Sequence, residues 1–245
     1  LPSAARRTSP CAHPLCTRLT KGYYCWQHVN AASSVPSASR ILLDPPLSQP
    51  YGSTPIPADL AADLVSGIDP ETLQEIDERE RAGLARMASD LLWRSKEDGG
   101  HFLWDDVEFL AAHRTAFADT WKWGGQYRSR EMNLGIDPTQ IATQMRILFG
   151  NAQSWRELGT YSAVEQVIRL HCEVGRIHPF VNGNGRVSRV YCEVMLFALD
   201  PDAELGWSRS RFPEAKERRR VYIEAVRQAD ATGDYSAVID FASHS

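Results

Sequence analysis

The chain has 245 residues, 27 Lys+Arg against 31 Asp+Glu, and is 43% hydrophobic and 24% charged. Seven Trp, eight Tyr and eight Phe supply a sizeable core, which excludes disorder throughout. No apolar run approaches the roughly 18–20 residues of a membrane-spanning helix, and five cysteines, an odd number clustered toward one end, fit a disulfide framework poorly. A cytoplasmic protein without a membrane partner is expected.

The net charge of −4 is unevenly spread. Residues 1–43 carry five basic groups (Arg6, Arg7, Arg18, Lys21, Arg40) and no acidic one, so the rest of the chain stands at −9. A basic piece on an acidic body implies two units with different partners. The first unit, 1–32, holds Cys11, Cys16, Cys25 and His28 in the spacing C-x4-C-x8-C-x2-H. Three thiolates and an imidazole so spaced suit a tetrahedral structural Zn²⁺, with His13 the alternative fourth ligand. Leu15, Leu19, Tyr23 and Tyr24 are too few to hold such a fragment together, so the metal would supply the folding energy. Its basic residues suit an anionic partner such as nucleic acid. Residues 33–50, beginning in the small polar run Ala31–Ser39, read as a linker.

The body, 51–245, is mainly helical by its periodicity. Leu73, Ile76, Leu84, Met87 and Leu91 recur at helical steps, as do Val107, Leu110, Phe117 and Trp121, and then Ile141, Met145 and Leu148. Ser162-Ala-Val-Glu165 is a capping box that opens a helix through Val167, Ile168 and His171. A further helix follows Gly185, turning Val187, Val190, Tyr191, Val194 and Phe197 inward, and stops at Asp200-Pro201. Pro213 suits the first turn of a helix running to about Ala229, and a short one covers 235–242. The Gly-rich stretch 124–136 lacks helical period and alternates weakly, which predicts a small β-hairpin. Arg209–Arg220, with six basic and two acidic residues, reads mostly as a solvated helix face.

Chemistry concentrates in His178-Pro-Phe-Val-Asn-Gly-Asn-Gly-Arg-Val-Ser-Arg189. Asn182-Gly-Asn-Gly185 is a small-residue loop whose backbone can approach a ligand closely, and the helix after it presents free N–H groups and positive dipole density. Arg186 and Arg189 are three apart, a spacing that lets both face one anion. His178 stands across the loop as an imidazole able to take a proton.

These residues resemble the Fic-family signature H-x-F-x-[D/E]-G-N-G-R-x-x-R, with Asn182 in place of the acidic residue. Trp121–Arg128 and Asn133–Asp137 resemble the segment before and within that family's target-docking flap. Tyr51–Pro55, Gly206-Trp-Ser208 and Ala229–Tyr235 are similar to the Fic subgroup called mobile mystery protein B. The resemblance implies a Fic-type helical bundle with a hairpin flap, and transfer of AMP from ATP, with Mg²⁺, to a Ser, Thr or Tyr hydroxyl of a target protein. It implies His178 as general base, Phe180 as the loop's core anchor, and Gly183, Asn184 and Gly185 around the α- and β-phosphates. Arg186 and Arg189 would hold the β- and γ-phosphates, and Gly125, Gln126, Tyr127 and Arg128 would dock the target. Asn182 would offer Mg²⁺ a neutral oxygen in place of a carboxylate. The family's inhibitory pattern [S/T]-x-x-x-E-[G/N] has no match, since the chain contains no Glu-Gly or Glu-Asn pair; a separate antitoxin-like partner stays open. Two other readings stay open as well: phosphate transfer on the same fold, and a weakly active nucleotide-binding module tethered by the finger.

Overall fold

The computed structural model describes residues 9–10, 19–20, 62–65, 73–207 and 214–243. Near the N-terminus, strands β1 (Ser9–Pro10) and β2 (Leu19–Thr20) pair antiparallel, Ser9 opposite Thr20. Cys11, Cys16, Cys25 and His28, and with them the expected zinc site and linker, lie outside the described residues.

Among the described residues the α-helices are α1 Leu73–Asp98, α2 Asp106–Phe117, α3 Ile141–Leu158, α4 Ala163–Ile177, α5 Asn184–Leu199, α6 Ala215–Thr232 and α7 Ser236–Ser243. Local chemistry sets their ends. Asp105 caps α2 by accepting the Val107 N–H at 2.8 Å, and Ser162 caps α4 by accepting from Glu165 N at 3.2 Å, as its sequence pattern predicts. Gly159, at φ 60°, closes α3 in the left-handed region, and α5 ends against Asp200 as predicted. Pro213 lies outside the described residues, and α6 has Glu214 as its N-cap.

Helix α1 packs on α2 and α5, α4 packs on α3 and α5, and α6 and α7 lean together on α4. Their shared core contains Phe109, Phe117, Trp121, Phe149, Phe180 and Tyr191, each under 2% exposed. Helix α2 turns Phe109, Ala112, His113, Ala116 and Phe117 inward, while Val107 is 63% exposed. The inward stripe is therefore rotated from the predicted one, because Val107 sits in the first turn beside the Asp105 cap. No described helix is long and apolar enough to cross a membrane.

The stretch 124–136 is not a hairpin. Extended pairing occurs just before it, where Leu64 bridges antiparallel to Trp121 and Lys122 N donates to Asp63 O at 2.8 Å. Beyond that come tight turns, with Gly124 N donating to Trp121 O at 3.0 Å and Gln126 N to Trp123 O at 2.9 Å. The physical reason lies in Arg128, whose guanidinium fills the middle of the loop. Its Nε donates to His178 O at 2.7 Å, Nη1 to Arg130 O at 3.0 Å, and Nη2 to Ile136 O at 2.5 Å. The loop's carbonyls thus pair with one side chain where a ladder would have used backbone N–H groups. Its backbone pairs outward instead, Arg128 N to Pro179 O at 2.9 Å and Ile136 N to Ile177 O at 3.3 Å.

Candidate active site

Helices α4 and α5 meet at the loop 178–183, which carries the motif. His178 ends α4 in the left-handed region at φ 51°, its N–H on Val174 O at 2.9 Å. The ring hydrogen bonds the Gly175 backbone, which orients it, and the Arg128 guanidinium grips the His178 carbonyl. Burial, then the Arg128 charge, lowers the imidazole pKa from its ordinary value, and the bond to Gly175 partly opposes this. The neutral, proton-accepting form is therefore the resting form near neutral pH.

Phe180 is fully buried, its ring stacked on His113 at 3.6 Å between centroids and near Phe109 and Tyr127. Asn184 then closes the loop on itself: its Oδ1 accepts from Phe180 N and its Nδ2 donates to Phe180 O, both at 2.9 Å. The side chain of this residue is thus spent on shaping the loop, leaving its backbone N–H for any ligand. Gly183 caps α5 at φ 81°, and a Cβ there would lie 2.4 Å from the Phe117 ring, so only glycine fits. A Cβ at Gly185 would meet no described atom within 4 Å, which marks the open side of the helix start. The first intrahelical bond is Val187 N to Gly183 O at 2.9 Å, so the amides of Asn184, Gly185 and Arg186 precede it. That is the geometry of an anion site at a helix N-terminus.

The two arginines are held by different neighbours. Arg186 ion-pairs with Glu80 of α1 and lies 5.1 Å over the Phe117 ring. Glu80 is only 3% exposed, and its other carboxylate oxygen accepts the Trp121 Nε1–H at 2.7 Å. Arg189 lies 5.8 Å over the ring of Tyr222 from α6. Tyr222 in turn hydrogen bonds His171, at 2.7 Å, and His171 contacts Ser188 of α5 at 2.9 Å. Asn182 directs its Oδ1 at Gly183 N, 2.7 Å away, while its carbonyl faces His113 Nε2 at 3.1 Å. Among the described residues no three His, Cys, Asp or Glu side chains come together as a metal cage. The one side-chain oxygen that Asn182 brings to the loop is uncharged and already accepts the Gly183 N–H.

Sequence reasoning missed Glu80 and His113. Glu80 reads as one more charge on an exposed helix and lies 106 residues before Arg186, so no local signal exists. His113 did leave one: it falls at four-residue steps between Phe109 and Phe117, on the buried stripe of α2. The Arg186–Glu80 pair gives a direct test. Arg186→Ala leaves a buried carboxylate without its cation and is expected to lower stability by about 2–3 kcal/mol; a fully buried pair would give roughly 3–5. The reduction reflects the 34% exposure of the Arg186 side chain. Adding Glu80→Gln to Arg186→Ala should recover most of the loss in urea unfolding; strictly additive losses would show that the two groups are uncoupled.

The helical bundle thus presents a neutral histidine at one end of the loop and an open helix start at the other, groups able to accept a proton and to bind an anion. A Fic/DOC family profile matches residues 104–196, which span α2 to most of α5. Residues 104–196 therefore match the Fic/DOC family. Its fold is similar to the ADP-bound N-terminal Fic domain of a VirB-translocated Bep effector from Bartonella quintana (19% identity, 74% of this chain and 87% of that chain, TM-score 0.53). It is also similar to a Fic domain containing signalling protein from Bacteroides thetaiotaomicron (19% identity, 73% of this chain and 66% of that chain, TM-score 0.52). No curated protein matches the chain.

Proposed function

We propose that the chain is a Fic-type transferase that moves AMP from ATP to a Ser, Thr or Tyr hydroxyl of a target protein. The observation that carries this reading is the neutral His178 at one end of a loop whose other end is the open α5 start. The hydroxyl oxygen attacks the α-phosphorus, its proton passes to His178, and the bond to the pyrophosphate leaving group breaks. Backbone amides of Gly183, Asn184 and Gly185 hold the α- and β-phosphates, and Arg186 and Arg189 the β- and γ-phosphates. Gly125, Gln126, Tyr127 and Arg128 dock the target segment beside them. Asn182 would offer one neutral oxygen to a Mg²⁺ bound with ATP, and that ion would supply neutralisation of phosphate charge. The remaining assignments belong to the same proposal: a zinc-stapled finger over 1–32, a linker over 33–50, the Fic domain over 51–245, a cytoplasmic location, and a separate inhibitor protein or nucleic acid as further partners.

Incubating the protein with a lysate and α-labelled ATP, with Mg²⁺ or Mn²⁺, tests the reaction. Label on protein supports AMP transfer, and label arriving only from γ-labelled ATP would replace it with phosphate transfer. One observation favours a second reading, in which the domain binds nucleotide with little turnover: Asn182 is uncharged, and its oxygen is already used by Gly183 N–H. Asn182→Asp separates the two, because a strong gain in transfer marks the present site as metal-starved. For the finger, purification without chelator followed by zinc analysis gives the answer, and metal-free protein would defeat it.

A further inference from the structure

We propose that His113 is a positioning residue that couples the target-docking segment 125–128 to the phosphate loop 178–185; this rests on the nucleotide reading above. His113 is completely buried on α2, and its two ring nitrogens face two different loops. Gly125 N donates to Nδ1 at 3.0 Å. A backbone N–H can only donate, so Nδ1 carries the lone pair and the ring proton sits on Nε2. That proton points at the Asn182 carbonyl, 3.1 Å away. The ring itself lies flat on Phe180, with planes 15° apart. One imidazole therefore spans the first residue of the docking segment and the residue preceding the α5 cap.

The ring is packed among Phe117, Trp123 and Phe180, none of whose rings can replace its two hydrogen bonds, so losing it takes the one side-chain partner from the Gly125 N–H and the Asn182 carbonyl. A shift of Gly125 would be felt at Asn182, and the reverse. In-line attack needs the hydroxyl, held along 125–128, and the α-phosphate, held at the α5 start, in one register. Misplacement by about 1 Å costs on the order of 10² in rate. His113 touches neither reactant in this arrangement and acts through Gly125 and Asn182.

The test uses the full chain and ADP as the probe, with the Gly125 amide followed by ¹⁵N NMR. His113→Phe keeps a ring on Phe180 and removes both hydrogen bonds, whereas His113→Gln offers an amide oxygen and an N–H in their place. In the unaltered protein, ADP bound at α5 is expected to shift the Gly125 resonance. In His113→Phe, ADP should still bind, within about threefold in Kd, while Gly125 no longer responds, and His113→Gln should restore the response. An equal Gly125 response in His113→Phe, or none in the unaltered protein with ADP bound, overturns the coupling. Failure of ADP to bind the unaltered protein would instead sink the nucleotide reading, and the coupling with it. Should His113→Phe not fold, the imidazole of the unaltered protein decides: a proton found on Nδ1 in place of Nε2 overturns the proposal, and the Nε2–H form with a Gly125 response retained in His113→Gln supports it.

Discussion

Replacing His178 with alanine is expected to lower nucleotide transfer by about 10²–10⁴-fold, the usual contribution of a general base, with ADP binding retained. The side chain is not a pillar of the core; what the structure depends on here is backbone, namely the His178 N–H on Val174 O and the carbonyl on Arg128. Alanine in the left-handed conformation at φ 51° costs on the order of 1 kcal/mol, so His178→Asn, which tolerates that conformation better, serves as the second variant. Both should lose transfer together while their melting points differ slightly. The pH dependence has a definite sign. Because burial and Arg128 lower the pKa of His178, the base is neutral at pH 7, and the rate should be flat there and fall only on the acid side of the ordinary histidine value. A rate still climbing through pH 7–8 would mean that another group accepts the proton. Label transfer that survives both substitutions would remove His178 from the mechanism.

The second large effect expected is loss of stability in mild acid. His113 and His171 are fully buried, and burial lowers both pKa values to about 3. An unfolded histidine takes up its proton near pH 6.5, whereas these two take it up only near 3 in the folded chain. Their contribution to stability is therefore complete above about pH 6.5 and declines as pH falls between the two values. At pH 5 the decline is about 2 kcal/mol for each, or about 4 kcal/mol together, a large part of a stability of order 5–15. Carboxylates with lowered pKa, such as Asp137 and Asp234, act only at lower pH. Asp77 and Asp90, raised by burial, act in the opposite sense and reduce the net slope. Urea unfolding at pH 7 and pH 5 measures the difference; about half the expected loss would show that one ring binds a proton in the folded state, and an unchanged midpoint that both do.

Helix positions were largely legible because their causes are local: the Ser162–Glu165 box, the stop at Asp200, and buried Ile141, Met145 and Leu148 at helical spacing all appear in the structure. The motif loop was legible for the same reason, since small residues, a turn and a helix start follow one another in twelve positions. The loop 124–136 was misread because alternation reports only which faces neighbouring side chains take, and here a single arginine decides where the carbonyls turn. Glu80 was invisible because its partner is supplied by another helix, packed against α1 only in the folded chain. Arg186 and Arg189 share a helix face by spacing, yet each leans on a different aromatic ring, Phe117 and Tyr222. Spacing along one helix says where side chains begin, and packing from α1 and α6 says where they end.

The clasp between Asn184 and Phe180 has a consequence for how a ligand meets this site. Loops that must order themselves around a phosphate give up part of their binding energy as chain entropy, and their association slows accordingly. Here the entropy was surrendered when the chain folded, so the helix start is preorganised. Affinity should then follow ligand charge and salt concentration more closely than it follows anything that stiffens the loop.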